Sequence, residues 1–98
     1  MNRPRIEDAL FDAVALWEVA AARVMCRRLL HGHIAPRQLV SWAHRTIGHE
    51  GARRLQPLVV LDDDYDLIGY TGETAEELDE ATYAEARSIV ARQPSNPA

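Results

Sequence analysis

The sequence predicts an all-α fold: a compact bundle of about four helices led by a long N-terminal one. Apolar residues recur at spacings of three and four in three of the four segments. Prolines stand where helices would open and glycines where they would close. The one short apolar run that could be a strand, Leu58–Leu61, has no second strand to pair with, and an isolated strand leaves its backbone groups unsatisfied.

The first helix is expected from Pro4 to Leu30. Pro4 suits the first turn, Glu7 and Asp8 favour the N-terminal end of the helix dipole, and Arg27 and Arg28 favour its other end. Gly32 is the stop. Ile6, Leu10, Ala13, Trp17, Ala20 and Val24 form one apolar face by spacing, and Leu16, Val19, Cys26 and Leu30 part of a second. Two apolar faces predict cover from more than one side, by other helices or by a second subunit. The second helix should run from Pro36 to about His49, with Leu39, Val40, Ala43 and Ile47 inward and Trp42 on the flank. A third is expected at Pro57–Leu67, followed by a loop over Gly69–Gly72. Thr74-Ala75-Glu76-Glu77 matches a capping box, which starts a last helix running to about Arg92. Leu78, Ala81, Thr82, Ala86, Ile89 and Val90 are its predicted core residues. Residues 1–93 thus read as one helical domain and 94–98 as a disordered tail.

Charge is the clearest signal beyond the fold. Residues 1–56 hold nine arginines against five acids, and residues 57–98 two against ten, giving +4 and −8 within a net charge of −4. All basic side chains are arginine. An acidic half repels nucleic acid and attracts basic partners. The N-terminal segment carries Glu7, Asp8 and Asp12 where a signal peptide needs an uncharged run, and no stretch is apolar enough to span a membrane. The lone cysteine, Cys26, rules out an internal disulfide. These points predict a cytoplasmic protein without a membrane partner.

Catalytic and metal-binding constellations are sparse. Cys26 falls among apolar residues of the first helix, as an inert core thiol would. His44 and His49 are five apart, a poor match to one helical face, and no pair has zinc-ligand spacing, so no metal and no cofactor is expected. Asp62, Asp64, Asp66 and Glu73 occupy positions 1, 3, 5 and 12 of a calcium-loop pattern, but Leu67 stands where the turn needs glycine and Gly69 where a branched apolar residue belongs. Arg37 and His44, two turns apart on the second helix, resemble the Arg-x(4–6)-His motif of the all-helical HEPN ribonucleases. Arginine there would stabilise phosphate charge and histidine would move protons. Arg28 and His33 have similar spacing but are interrupted by Gly32. No aromatic-and-basic surface for nucleic acid accompanies either pair.

The segment from Leu30 to Ala43, LHGHIAPRQLVSWA, resembles a pattern in small, acidic, helical bacterial proteins, some of them similar to immunity proteins of toxin systems. Its glycine closes one helix, its proline opens the next and its tryptophan belongs to the core. The stretch Leu58–Asp66 also fits. Immunity proteins of this kind imply inhibition by tight contact, an acidic face meeting a basic nuclease. The expectation is therefore a non-catalytic protein-binding protein, immunity-like, contacting a basic partner through Asp62, Asp63, Asp64, Tyr65, Asp66, Tyr70 and Glu73. A HEPN-like ribonuclease and a structural dimer formed through the first helix are the alternatives.

Overall fold

The computed structural model describes residues 6–92, with side chains from residue 13 onward. The fold is all-α, and no strand occurs among the described residues. Helix α1 spans Ile6–Leu30, α2 Pro36–Thr46, α3 Gln56–Asp66, the single-turn α4 Ile68–Thr71, and α5 Ala75–Ala91, with a 3-10 turn at Arg53–Leu55. No helix is long and apolar enough to cross a membrane among the described residues. The start at Pro4 and the tail at 94–98 lie outside the described residues.

Each boundary has a local cause. After α1 the chain reverses at Gly32, whose φ of 77° favours glycine. The amide of His33 donates to the Arg28 carbonyl (2.8 Å) and that of Gly32 to Leu29 (2.9 Å), the two bonds of a Schellman cap. Pro36 opens α2, and the Gln38 side chain accepts from the Ala35 amide at 2.7 Å. Helix α2 stops at Thr46, a turn earlier than the periodicity predicts, because Gly48 takes φ 70° and its amide folds back on the Ala43 carbonyl. Gly69–Gly72, expected as loop, begins inside α4, and Gly72 at φ 80° ends that turn. The capping box is present: the Glu77 amide donates to Thr74 Oγ1 at 3.1 Å, and Glu77 Oε1 accepts from the Thr74 amide at 3.2 Å.

The core is built where α1 and α5 pack together and α2 and α3 pack together. Leu39, Val40 and Ala43 of α2, Leu58 and Val59 of α3, and Leu78, Thr82 and Ala86 of α5 are buried, as is Leu55 before α3. Thr82 satisfies its hydroxyl on the Leu78 carbonyl at 2.8 Å. Ala81, expected inward, is exposed.

Of the two predicted faces of helix α1, the core takes the second rather than the first: Cys26 is buried and Val19 and Leu30 pack on the core, while Leu16 is exposed. The buried residues of α1 are Glu18, Ala22, Cys26 and Leu29, with Val19, Met25 and Leu30 packed alongside. Ala13, Trp17, Ala20 and Val24 instead look outward. Ile6 and Leu10 of the same predicted face lie outside the described side chains. That orientation is held by two polar anchors. Glu18 Oε1 accepts the Ala52 amide at 3.0 Å, and Arg23 donates to the carbonyls of Ile89, at 3.3 Å, and Arg92. Small side chains at Ala22 and Cys26 let α5 approach closely. Cys26 is fully buried, and burial pushes its thiol up to about 12, with Glu85 adding to the effect.

Candidate functional site

Helices α2 and α3 lie against each other in opposite directions, and their contact line carries most of the residues that the sequence singles out. Near the start of α2, Arg37 pairs with Asp66 at 2.6 Å, and its guanidinium lies 5.1 Å from the centre of the Tyr65 ring. Both ends of that ion pair are more than half exposed, so it contributes at most about 1 kcal/mol. Tyr65 is buried and its hydroxyl donates to Asp79 of α5. Burial, then the Asp79 bond, pushes its phenol up to about 12.

Two turns further along, His44 Nδ1 lies 2.8 Å from Asp62 Oδ2 and 3.7 Å from Asp63 Oδ1. Asp63 Oδ2 meets His49 Nε2 at 3.0 Å. The two imidazoles stand edge to face, ring centres 5.0 Å apart. A spacing of five separates these histidines on a continuing helix, but α2 ends between them and the turn at Gly48 swings His49 back beside His44. The segment carrying His49 is fastened on two sides. Gln56 Nε2 donates to the Gly48 carbonyl at 2.9 Å, and Glu18 holds the Ala52 amide. Gly51 fits there because a Cβ would collide with the Ile47 carbonyl and Cγ2 and come within 2.9 Å of Glu18 Oε2.

The seven expected contact residues therefore divide. Asp62, Asp63 and Asp66 are held by the protein's own His44, His49 and Arg37, and Tyr65 is buried. Asp64 is half-buried, while Glu73 and Tyr70, the latter 88% exposed, face solvent. The open acidic surface thus moves along the chain. From Leu67 to Ala86 there is no basic residue, and Glu73, Glu76 and Glu80 are exposed and form no ion pair among the described residues. The alternative Arg37–His44 pair is brought to one side of α3, but each member already faces a carboxylate. The calcium-loop residues are not gathered into a loop, since Asp62, Asp64 and Asp66 belong to α3.

A third surface was legible only in part. Between Ala13 and Val24, α1 has two charged side chains, Glu18 and Arg23, and both are bonded to the body of the bundle. What faces outward is Ala13, Val14, Leu16, Trp17, Ala20 and Val24, with Leu16 73% and Trp17 59% exposed. Comparison with protein-family models, with curated proteins and with solved structures finds no match to this chain.

Proposed function

We propose that the chain is a non-catalytic protein-binding protein whose contact surface is the outward face of α1, and that the occupant is a second copy of the chain. The observation that carries this reading is the outer side of α1 between Ala13 and Val24: its two charged side chains, Glu18 and Arg23, are bonded to the bundle, and Leu16, Trp17 and Val24 are left exposed. Leaving Leu16 and Trp17 in water forgoes roughly 1.5–3 kcal/mol for each large side chain left uncovered. Contiguous apolar patches of this kind mark interaction sites.

A second copy is favoured by the order of large and small residues. Set two α1 helices antiparallel about a two-fold axis between Glu18 and Val19. Trp17 of one then faces Ala20 of the other, Leu16 faces Ala21, and Val24 faces Ala13. Three of the four outward large side chains meet an alanine, which is how helix faces interdigitate, and the fourth, Val14, lies against the alkyl stem of Arg23. A parallel pairing sets tryptophan on tryptophan and alanine on alanine and packs unevenly. Closed two-fold dimers are also the commonest oligomers. Catalysis is disfavoured because a phosphate approaching Arg37 and His44 would meet Asp62, Asp63 and Asp66.

Sedimentation over a concentration series should reveal a species of twice the 11.0 kDa chain mass. Ala20→Glu places an unpaired carboxylate opposite Trp17, and the dimer dissociation constant should rise at least about 100-fold. Mixing Ala13→Cys with Val24→Cys protein should give a disulfide between the two variants in preference to either with itself. A monomer throughout the series, or an Ala20→Glu protein that associates as well as wild type, removes the proposal.

The acidic end supports a second reading, immunity-like contact with a basic protein. It is favoured by Tyr70, almost wholly exposed within a stretch of twenty residues that contains no cation. The surface is then Asp64, Tyr70, Glu73, Glu76 and Glu80, in place of the paired aspartates. A triple Gln variant at Glu73, Glu76 and Glu80 should slow association with a basic partner about tenfold or more at low salt and lose the salt dependence. Retention of both by the variant means that the acidic end is only a solvated surface.

A further inference from the structure

We propose that His44, His49 and Asp63 form a binding site for a divalent transition-metal ion of the zinc class. One ring nitrogen each of His44 and His49 and a carboxylate oxygen of Asp63 lie within 4.8 Å of one another. A tetrahedral ion with bonds of about 2.0–2.1 Å spaces its ligand atoms about 3.3 Å apart. The two imidazoles approach the two oxygens of the Asp63 carboxylate, His49 Nε2 at 3.0 Å from Oδ2 and His44 Nδ1 at 3.7 Å from Oδ1, separations close to that spacing. Ligand atoms within 4.8 Å of one another can close onto one ion by side-chain rotation, with the backbone in place.

The donor set selects the metal class. Two imidazoles and one carboxylate suit zinc, cobalt or nickel, whereas calcium and magnesium require oxygen ligands. The charge also suits a dication. Asp62 and Asp63 together offset two positive charges, and a histidine that binds metal does so in its neutral form. Asp62 Oδ2 lies 2.8 Å from the same His44 nitrogen; metal binding would displace the proton of that hydrogen bond to solvent and leave Asp62 beside the ion as the second of those charges.

The site is built rather than fortuitous in its backbone. His44 sits in the last turn of α2, and Asp63 within α3. His49 is on a turn that Gly48 folds, Gln56 and Glu18 fasten, and Gly51 packs against Ile47. The three ligands come from two helices and the connection between them, so metal binding would staple α2 to α3. All three side chains are at least one-third exposed, which leaves an entry path and an open coordination position for solvent.

Titration of the full-length, metal-free protein with zinc chloride at pH 7.5 should show saturable binding of one ion per chain and a rise in thermal midpoint. Cobalt(II) should give the visible absorption of a tetrahedral or five-coordinate complex. A hundredfold molar excess of magnesium should not displace it. His49→Ala and Asp63→Asn should each weaken zinc binding at least tenfold while leaving the helical circular dichroism unchanged. His31 and His33, whose rings are 5.9 Å apart on the connection between α1 and α2, supply the control. The His31→Ala/His33→Ala double variant should bind zinc as wild type does. No saturable binding by wild type overturns the proposal, as does binding that survives in His49→Ala and is lost in the double control.

Discussion

Gly51→Ala should destabilise the fold by about 3 kcal/mol, the upper part of the range for forcing extra volume into a packed site. For a chain of this length that lowers the thermal midpoint by roughly 15 °C. The cause is specific. The added methyl would collide with the Ile47 carbonyl, which is backbone and cannot rotate away, with Ile47 Cγ2, and with Glu18 Oε2 at 2.9 Å. Relief requires the Gly48–Ala52 turn to lift from α1, which breaks the Glu18 bond to the Ala52 amide. Gly69→Ala is the matched control: nothing lies within 4 Å of its added methyl, and Gly69 sits in the single-turn α4 at a φ open to alanine. That variant should match wild type or gain up to about 1 kcal/mol. Thermal melts of the two variants read the contrast. Equal midpoints would mean that the turn carrying His49 is not seated on Glu18 and Ile47.

What the sequence made legible depends on how local the determining interaction is. The capping box at Thr74 and Glu77, the stop at Gly32 and the start at Pro36 are decided within a few residues, and all three are present. The α2 stripe of Leu39, Val40, Ala43 and Ile47 was readable because polar residues mark its other side. Helix α1 has apolar residues all around, so periodicity alone could not say which face is inward. The choice fell to Glu18 and Arg23, whose partners are 34 and 66 residues away, and to the small side chains of Ala22 and Cys26 against α5. Reading Trp17 and Val24 as core gave weight to size, where the fold gave it to close approach.

The histidine–aspartate cluster was hidden by a different step. Reading His44 and His49 at a spacing of five presumes one continuous helix. Gly48 was visible as a weak point in the last turn, and the pair Gly48 and Gly51 signals a reversal there. Once the chain reverses, the five-residue spacing no longer separates the rings. The acidic run showed the opposite limit: its charges were plain to see, but their pairing with Arg37, His44 and His49 arises only when α2 packs on α3.

The remaining large effect is on alkaline stability, and the absence of lysine makes it unusually clean to measure. The basic side chains are all arginine and keep their charge between pH 9 and 12, which leaves the buried Cys26 and Tyr65 to couple folding to pH. Cys26 and Tyr65 are both held protonated by burial, Cys26 raised from 9.0 to about 12 and Tyr65 from 10.0 to about 12. An unfolded chain releases these protons at the lower values. The unfolded state therefore binds fewer protons than the native state throughout this window, and rising pH favours unfolding. The stabilisation from each group is complete below its unfolded value and is lost as pH climbs to about 12. Each contributes a slope of about 1.4 kcal/mol per pH unit, beginning near pH 9 for the thiol and near pH 10 for the phenol. Urea midpoints at pH 8, 9.5, 10.5 and 11.5 should fall progressively, with the steepest drop above pH 10. Tyr65→Phe should flatten the upper part of that fall, although it starts lower by about 1–2 kcal/mol because Asp79 loses its donor. Cys26→Ala should flatten the fall from pH 9 upward. A midpoint that holds steady to pH 11.5 in wild type would show both groups ionising as freely in the native protein as in the unfolded chain, against the burial of Cys26 and of Tyr65.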